Sequence, residues 1–170
     1  MKILKKILVA TDFSKSCENT VKNAIEVAKL FESNIILIHV LPDDIKNDKV
    51  KTMIRNAAEK QLNEINESIE KEGVEACKPF LKYGKHYDKI IQVANKENVN
   101  FIMIGAGEKM KKDNFKLGTT AEKLVRRSDK PVLVVKKGSD LKNVKSILCP
   151  VDFSEESTLA LNNSINIARR

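Results

Sequence analysis

The stretch KILVATDFS, residues 6–14, decides the fold class of this chain. Residues 7–10 are all apolar, and Thr11 and Asp12 close the run, which is typical of a short strand buried on both faces. Ser14 stands where a helix N-cap is expected, and apolar residues then recur with helical spacing as far as Phe31. The stretch therefore predicts a buried strand followed by an amphipathic helix over residues 15–31.

The same alternation of strand and helix continues beyond this unit. Apolar runs predict four further strands at residues 35–40, 74–82, 101–104 and 132–135. Helical spacing predicts three more helices, over 48–72, after Gly84 and over 119–127. The strand at 74–82 contains Pro79, which suits an edge strand. Because buried strands that alternate with helices form parallel sheets covered on both faces, we predict a doubly wound, five-stranded parallel α/β sheet in the order 3-2-1-4-5.

The end of the chain repeats its beginning. KSILCPVDFSEESTLALNNSINIARR, residues 145–170, matches residues 5–30 at an offset of 140. The identical positions include Ile147, Leu148, Asp152, Phe153, Ser154, Asn163, Ile165 and Ala168. A lone strand-and-helix unit cannot bury both of its faces. We therefore predict one full domain over residues 1–140 and, over 141–170, the first strand and helix of an incomplete second copy.

The composition describes a soluble globular protein. Of 170 residues, 42% are hydrophobic and 32% charged, and no apolar run approaches the ~18 residues that a membrane span needs. The first apolar run is too short for a signal peptide, so we expect a cytoplasmic protein without membrane contact. The three cysteines lie far apart and only two histidines are present, which argues against a zinc site.

The formal charge of +8 is concentrated in one region. Residues 106–145 carry twelve Lys or Arg against five Asp or Glu, beside the glycines of residues 101–120. An anionic ligand would be drawn to this region, although a solvated lysine surface is an equal alternative. Only Phe115 lies among the lysines, so the aromatic interleaving of single-strand nucleic-acid binders is missing and a nucleic-acid partner is disfavoured.

Five motifs together carry a family resemblance: VATDFS, IHV, Gly84, FIMIG and LGTTAEKLVRRSDKPVLVV. With them the chain resembles the universal stress protein family, as one full domain over residues 4–137 and the opening of a second over 145–170. The resemblance implies an adenine nucleotide alpha hydrolase-like, Rossmann-like fold and a role in the stress response. It also implies pairing through the fifth strand. That open strand predicts either a homo-oligomer or intramolecular pairing with the second copy of a tandem repeat.

Many members of this family bind ATP through the pattern Gly-x2-Gly-x9-Gly-Ser/Thr. Gly105 and the pair Gly118–Thr119 fit that pattern, but Glu108 occupies the position of the second glycine and Gly107 lies one residue early. A carboxylate beside phosphates opposes binding, and the neighbouring lysines could offset it. Two hypotheses therefore stay open, a domain that binds nucleotide and a descendant that has lost the ligand.

The resemblance also implies where ATP would lie, with Mg²⁺ as a candidate companion. It places the adenine against the Val40 backbone and the end of strand one, and Asp12 near the ribose or a metal ion. Helix capping is the alternative role of Asp12. The implied binding residues are Ala10, Thr11, Asp12, Val40, Ile104, Gly105, Gly107, Gly118, Thr119 and Thr120.

The sequence favours a regulatory binding protein over an enzyme. It contains no recognisable Ser-His-Asp or Cys-His arrangement, and His39 at a strand end is more typical of a packed ring than of a base. The leading hypothesis is a nucleotide-responsive regulatory module. The alternative is a stress-protective interaction protein that acts through dimerisation and needs no nucleotide.

Overall fold

The structure is a computed structural model that describes residues 6–107 and 117–169. The chain divides into two compact units, Met1–Ser139 and Asp140–Arg170. Within the described residues no helix is long and apolar enough to cross a membrane.

Strands and helices alternate along the first unit. The strands are β1 (Lys6–Ala10), β2 (Asn34–Leu41), β3 (Ala76–Tyr83), β4 (Phe101–Gly105) and β5 (Val132–Val135). The helices are α1 (Lys15–Phe31), α2 (Asp48–Lys71), α3 (His86–Lys96) and α4 (Thr119–Arg127). Each of these elements was predicted, and β3 shows the largest displacement, because it begins at Ala76 rather than at residue 74.

All five strands are parallel, in the order β3-β2-β1-β4-β5, which confirms the predicted sheet. The central strand β1 ends at Ala10, which lies between Ile38 of β2 and Ile104 of β4. The chain adds β2 and β3 on one side of β1 and β4 and β5 on the other, so the switch point, where such sheets bind ligands, lies between β1 and β4. The carboxyl ends of β2, β1 and β4 therefore form one edge of the sheet.

The core explains why residues 7–10 of β1 are all apolar. Leu8 packs in a cluster with residues of α3 and α4, such as Val93 and Leu124. Its neighbours Ile7 and Val9, which alternate to the other face of the sheet, are also fully buried. The sheet is thus covered on both faces, as a parallel sheet requires.

Pro79 marks the edge strand, as predicted. The β2–β3 register shifts between Ile36 and Ile38, so that Lys78 and Pro79 stand opposite Leu37 alone. Proline has no N–H to donate to the β-ladder. At a bulge of an edge strand it therefore leaves no backbone acceptor of a central strand without its hydrogen bond.

The second unit contains a short 3₁₀ helix, Leu141–Asn143, and one α-helix, α5 (Glu155–Ala168). The predicted helix is present, but the strand predicted before it is wrong: residues 144–152 form no strand. A strand needs a neighbour to receive its backbone hydrogen bonds, and none is paired with this segment among the described residues. That this unit opens a second domain stays a prediction.

Candidate functional site

The turn that leaves β1 is held by its own side chains. Phe13 N–H donates to Thr11 Oγ1 at 3.1 Å, and Ser14 N–H donates to Asp12 Oδ1 at 3.0 Å. Between them Phe13 adopts a left-handed φ of 62°, which is rare for a bulky residue. Ser14 is the N-cap residue of α1, as predicted, but its side chain makes no capping bond to the helix: its hydroxyl pairs with Ser16 Oγ at 2.9 Å instead.

The Asp12 carboxylate is fixed through one of its two oxygens. Oδ1 also accepts from the Cys17 thiol at 2.9 Å, and Asp12 N–H lies 3.4 Å from Cys17 Sγ. Burial raises the pKa of Asp12, but the hydrogen bonds from Cys17 and Ser14 outweigh it and hold that pKa below its ordinary value. Among the described residues, the Ser14 N–H and the Cys17 thiol both donate to Oδ1 rather than to Oδ2. Asp12 is therefore an anion at neutral pH with one oxygen available to a ligand.

His39 supports the same turn from β2. Its Nδ1 lies 2.7 Å from the Thr11 carbonyl oxygen, which can only accept, so Nδ1 carries the proton. The Phe13 ring packs against the imidazole with centroids 4.2 Å apart. Burial lowers the pKa of His39, which keeps the ring neutral at pH 7. His39 is therefore a packed ring that orders the end of β1.

Val40 offers its backbone at the sheet edge. The last β1–β2 pair joins Ala10 to Ile38, and Thr11 N–H donates to the Ile38 carbonyl at 3.0 Å. The Leu41 carbonyl accepts from Gly84 on the opposite side, at 2.9 Å. Because carbonyl directions alternate along a strand, the Val40 N–H and C=O point toward the side of β1, past the residue where β1 ends.

Gly105 brings the end of β4 against α1. A Cβ added at Gly105 would lie 3.3 Å from Thr20 Oγ1 and 4.0 Å from Cys17 Sγ. The contact with Thr20 is tighter than most Cβ contacts, so a side chain at residue 105 would require Thr20 to shift by a few tenths of an ångström. The close approach at Gly105 also places the end of β4 beside the Asp12–Cys17 pair.

Gly107 and Gly118 lie close together in the fold. Gly118 N–H donates to the Ala106 carbonyl at 2.9 Å, and a Cβ at Gly118 would lie 3.2 Å from that oxygen. Gly107 has a φ of +88°, and an added Cβ there would lie 3.4 Å from the Gly118 Cα. The predicted contributions of Glu108, Lys109, Lys111, Lys112 and Lys116 lie outside the described residues.

The start of α4 is an uncapped helix N-terminus. Gly118 is its N-cap and has no side chain to offer, and the first helical bond joins Glu122 N–H to the Gly118 carbonyl at 2.9 Å. The N–H groups of Thr119, Thr120 and Ala121 precede that bond and have no intrahelical acceptor. Free donors and the helix dipole together favour an anion at this position.

The basic residues of α4 serve other contacts. Lys123 and Arg127 lie over the Tyr87 ring at 5.0 Å and 5.2 Å, and Arg126 pairs with Glu122 at 3.2 Å. Part of the positive charge of residues 106–145 is therefore engaged in contacts on the surface of α3 and α4. The described residues also contain no group of three or more His, Cys, Asp or Glu that could hold a metal ion.

The structure brings the implied binding residues to one edge of the sheet. Some of them offer side chains there and others only backbone groups. The side chains of Ala10, Val40 and Ile104 belong to the core cluster, so these residues can offer only backbone. Sequence reasoning assigned no part in the site to Cys17 and Thr20. The sequence did hold a signal for Cys17: it follows the Asp-Phe-Ser turn by three residues, as Ser157 follows the repeated turn.

Comparison with known proteins adds an independent observation. The universal stress protein family model matches residues 4–136. The universal stress protein MJ0577 of Methanocaldococcus jannaschii is 27% identical over 155 residues, covering 78% of this chain and 95% of that protein. A second protein of that organism, the universal stress protein MJ0531, is 27% identical over 143 residues, covering 79% and 84%.

Solved structures show the same likeness. A structure of MJ0577 has a TM-score of 0.71 at 28% identity and covers 81% of this chain and 99% of its own. An Archaeoglobus fulgidus universal stress protein, solved in complex with dAMP, has a TM-score of 0.62 at 24% identity and covers 78% and 98%. At that identity the second likeness is evidence of a shared fold alone.

Proposed function

The chain belongs to the universal stress protein family, and on that premise we propose that it is a stress-response regulatory module that binds an adenine nucleotide, ATP foremost. The observation that carries this proposal is the uncapped start of α4, held against the end of β4 by the bond from Gly118 to Ala106. Helix starts of this kind bind phosphate through backbone N–H groups.

Each part of the nucleotide has a candidate partner at this edge. The N–H groups of Thr119 and Thr120 would meet the phosphates, and Asp12 Oδ2 would accept from the ribose hydroxyls. The base would lie against the Val40 backbone and the end of β1 at Ala10 and Thr11. Gly105 and Gly107 keep this space free of side chains.

The same geometry favours binding over catalysis. His39 donates to the Thr11 carbonyl and the Cys17 thiol to Asp12, so the two groups are engaged in holding the turn. Burial and the bond to Asp12 raise the pKa of Cys17, which disfavours a thiolate nucleophile. We propose no catalytic residue, and Mg²⁺ would enter with the phosphates rather than at a site of its own.

The open side of β5 supports a second candidate function. Among the described residues this strand pairs only with β4, and three of its four residues are only partly buried. Such an edge can pair with another strand. A protein that acts through dimerisation or through pairing with its second copy would need no nucleotide, and Glu108 in the glycine pattern suits that alternative.

Gly118→Asp tests the proposal. The new side chain would lie against the Ala106 carbonyl and put a negative charge at the helix start, so we expect ATP affinity to fall more than about tenfold. Gly73→Asp is the control for the added charge, because an added Cβ there meets nothing within 4 Å and aspartate tolerates a left-handed φ, here +79°, better than most side chains. Circular dichroism checks that this variant stays folded. Isothermal titration with ATP at fixed salt and Mg²⁺ measures both.

Glu108→Gly separates the two candidate functions. If the carboxylate lies near phosphate, its removal should tighten ATP binding by about 1 kcal/mol. No binding by the parent but strong binding by Glu108→Gly would support the nucleotide-free alternative. Equal affinity of the parent and Gly118→Asp would show that ATP binds elsewhere. Sedimentation of the parent as a strict monomer at high concentration would contradict the dimerisation alternative.

A further inference from the structure

We infer that Cys17 is a positioning residue for the ribose half of the nucleotide site, because its thiol holds the Asp12 carboxylate with one oxygen left for the ligand. This inference rests on the function proposed above. It assigns a role in recognition to a side chain that does not itself reach the nucleotide.

The geometry ties Cys17 to Asp12 in both directions. The thiol donates to Oδ1 at 2.9 Å, while Asp12 N–H points back at the sulfur over 3.4 Å. Ser14 N–H binds the same oxygen at 3.0 Å. The carboxylate cannot rotate without breaking both bonds to Oδ1, so Oδ2 is presented in one direction.

Burial keeps the thiol in its donating form. Cys17 is 7% exposed and lies beside Gly105, where the end of β4 approaches α1. A buried thiol next to a carboxylate retains its proton at neutral pH, because ionisation would place two negative charges in contact. A residue that served packing alone would need no donor aimed at Asp12.

In the second unit a hydroxyl stands at the position of the thiol. Ser157 has the register of Cys17, and its Oγ accepts from Asp152 N–H at 3.3 Å. Asp152 Oδ1 accepts from Ser154 N–H at 3.0 Å, as Asp12 does from Ser14. The Ser157 hydroxyl donates to the Ser154 carbonyl at 3.1 Å, while Asp152 Oδ1 accepts from the Ser154 hydroxyl at 2.6 Å. Cys17→Ser is the conservative variant, because a hydroxyl is a donor of similar size to the thiol.

The test compares two nucleotides on the full chain. We expect Cys17→Ala to weaken ATP binding about tenfold, and binding of 2′,3′-dideoxy-ATP less than about twofold, since the latter has no ribose hydroxyl to meet Asp12. Cys17→Ser should restore parental values for both nucleotides. Cys77→Ala, a cysteine of β3 outside this edge, is the matched control and should change neither.

Two further measurements guard against a variant that merely loses structure. The Asp12 ¹³Cγ resonance, recorded without nucleotide, should shift in Cys17→Ala and remain in place in Cys17→Ser. The single variant Asp12→Ala and the double variant Asp12→Ala/Cys17→Ala should bind ATP with the same affinity. If Cys17 acts through the Asp12 carboxylate, its removal has no further effect once that carboxylate is gone.

The possible failures are distinguishable. Equal weakening of both nucleotides by Cys17→Ala would overturn the inference, since it would indicate loss of packing. Equal parental affinity for ATP and its dideoxy analogue would overturn it as well, because Asp12 would then not hold the ribose. A parent that binds neither nucleotide would overturn the proposed function, and this inference with it.

Discussion

Residues 6–28 and 146–168 share a turn and a helix but differ in what surrounds them. Phe13 and Phe153 have φ values of 62° and 66°, and each follows an aspartate whose Oδ1 accepts from the next serine N–H at 3.0 Å. Yet Leu8 is 0% exposed, whereas Leu148, its equivalent, is 95% exposed. The turn is therefore specified by a few adjacent residues, while the strand before it depends on neighbours.

The difference has a consequence for function. In the first unit the turn lies between β2 and β4, which bring His39 and Gly105 against it. In the second unit the same turn is formed without a strand before it. A preformed Asp-Phe-Ser turn is thus not sufficient for a binding site, because the Val40 backbone and the start of α4 come from other parts of the chain.

Truncating the two equivalent leucines should give the largest contrast. We expect Leu8→Ala to lower the free energy of unfolding by about 3 kcal/mol, because it leaves a cavity in the central strand. Leu148→Ala should change it by less than about 0.5 kcal/mol, since that side chain is exposed. Urea unfolding followed by circular dichroism measures both. Equal losses would show that residues 144–152 are packed in solution.

The two phenylalanines sharpen the comparison at the turn itself. Phe13→Ala should cost about 1 kcal/mol of unfolding free energy, because the ring packs on His39 at 4.2 Å. Phe153→Ala keeps the same backbone strain but removes a ring that is 93% exposed, so we expect little change. An equal effect of both variants in the urea experiment would show that the packing of Phe13 on His39 contributes no stability of its own.

For the two N-cap serines, Ser14 and Ser154, we expect the larger effect in the second unit. Ser154 Oγ accepts from Ser157 N–H at 3.2 Å, so Ser154→Ala should cost about 1 kcal/mol of local helix stability. Amide exchange at the start of α5 would then accelerate about fivefold. Ser14 caps no amide of α1, and Ser14→Ala should leave exchange there nearly unchanged. Faster exchange in Ser14→Ala alone would contradict this assignment.

The smallest effect is expected from pH. Hydrogen bonds from Ser154 lower the pKa of Asp152 from 3.8 to about 2. Because the folded value lies below the ordinary one, the turn is stabilised above about pH 3.8, and this stabilisation is lost as the pH falls toward about 2. Carboxyl ¹³C shifts measure the titration, with Ser154→Ala raising the midpoint as the control. A parental midpoint at or above 3.8 would refute the bond network.

Much of the fold followed from local patterns. The apolar run of β1 and the helical spacing of α1 predicted both elements, and Pro79 predicted the edge strand where the register shifts. The same reasoning predicted a strand before Asp152, since residues 147 and 148 repeat 7 and 8. That prediction was wrong, because an apolar pattern shows that a segment could be a buried strand but not that a partner strand is present to pair with it.

The sequence by itself determined the alternation of strands and helices, the parallel sheet and the position of the glycines, since periodicity and turn residues act over short distances. Only the tertiary structure decided that His39 orders Thr11, that Thr20 lies against Gly105, and that Gly118 returns to Ala106. These contacts join residues from different elements, and their distances depend on how the helices pack on the sheet. Local residue patterns do not encode that packing, so the site took shape only in the folded chain.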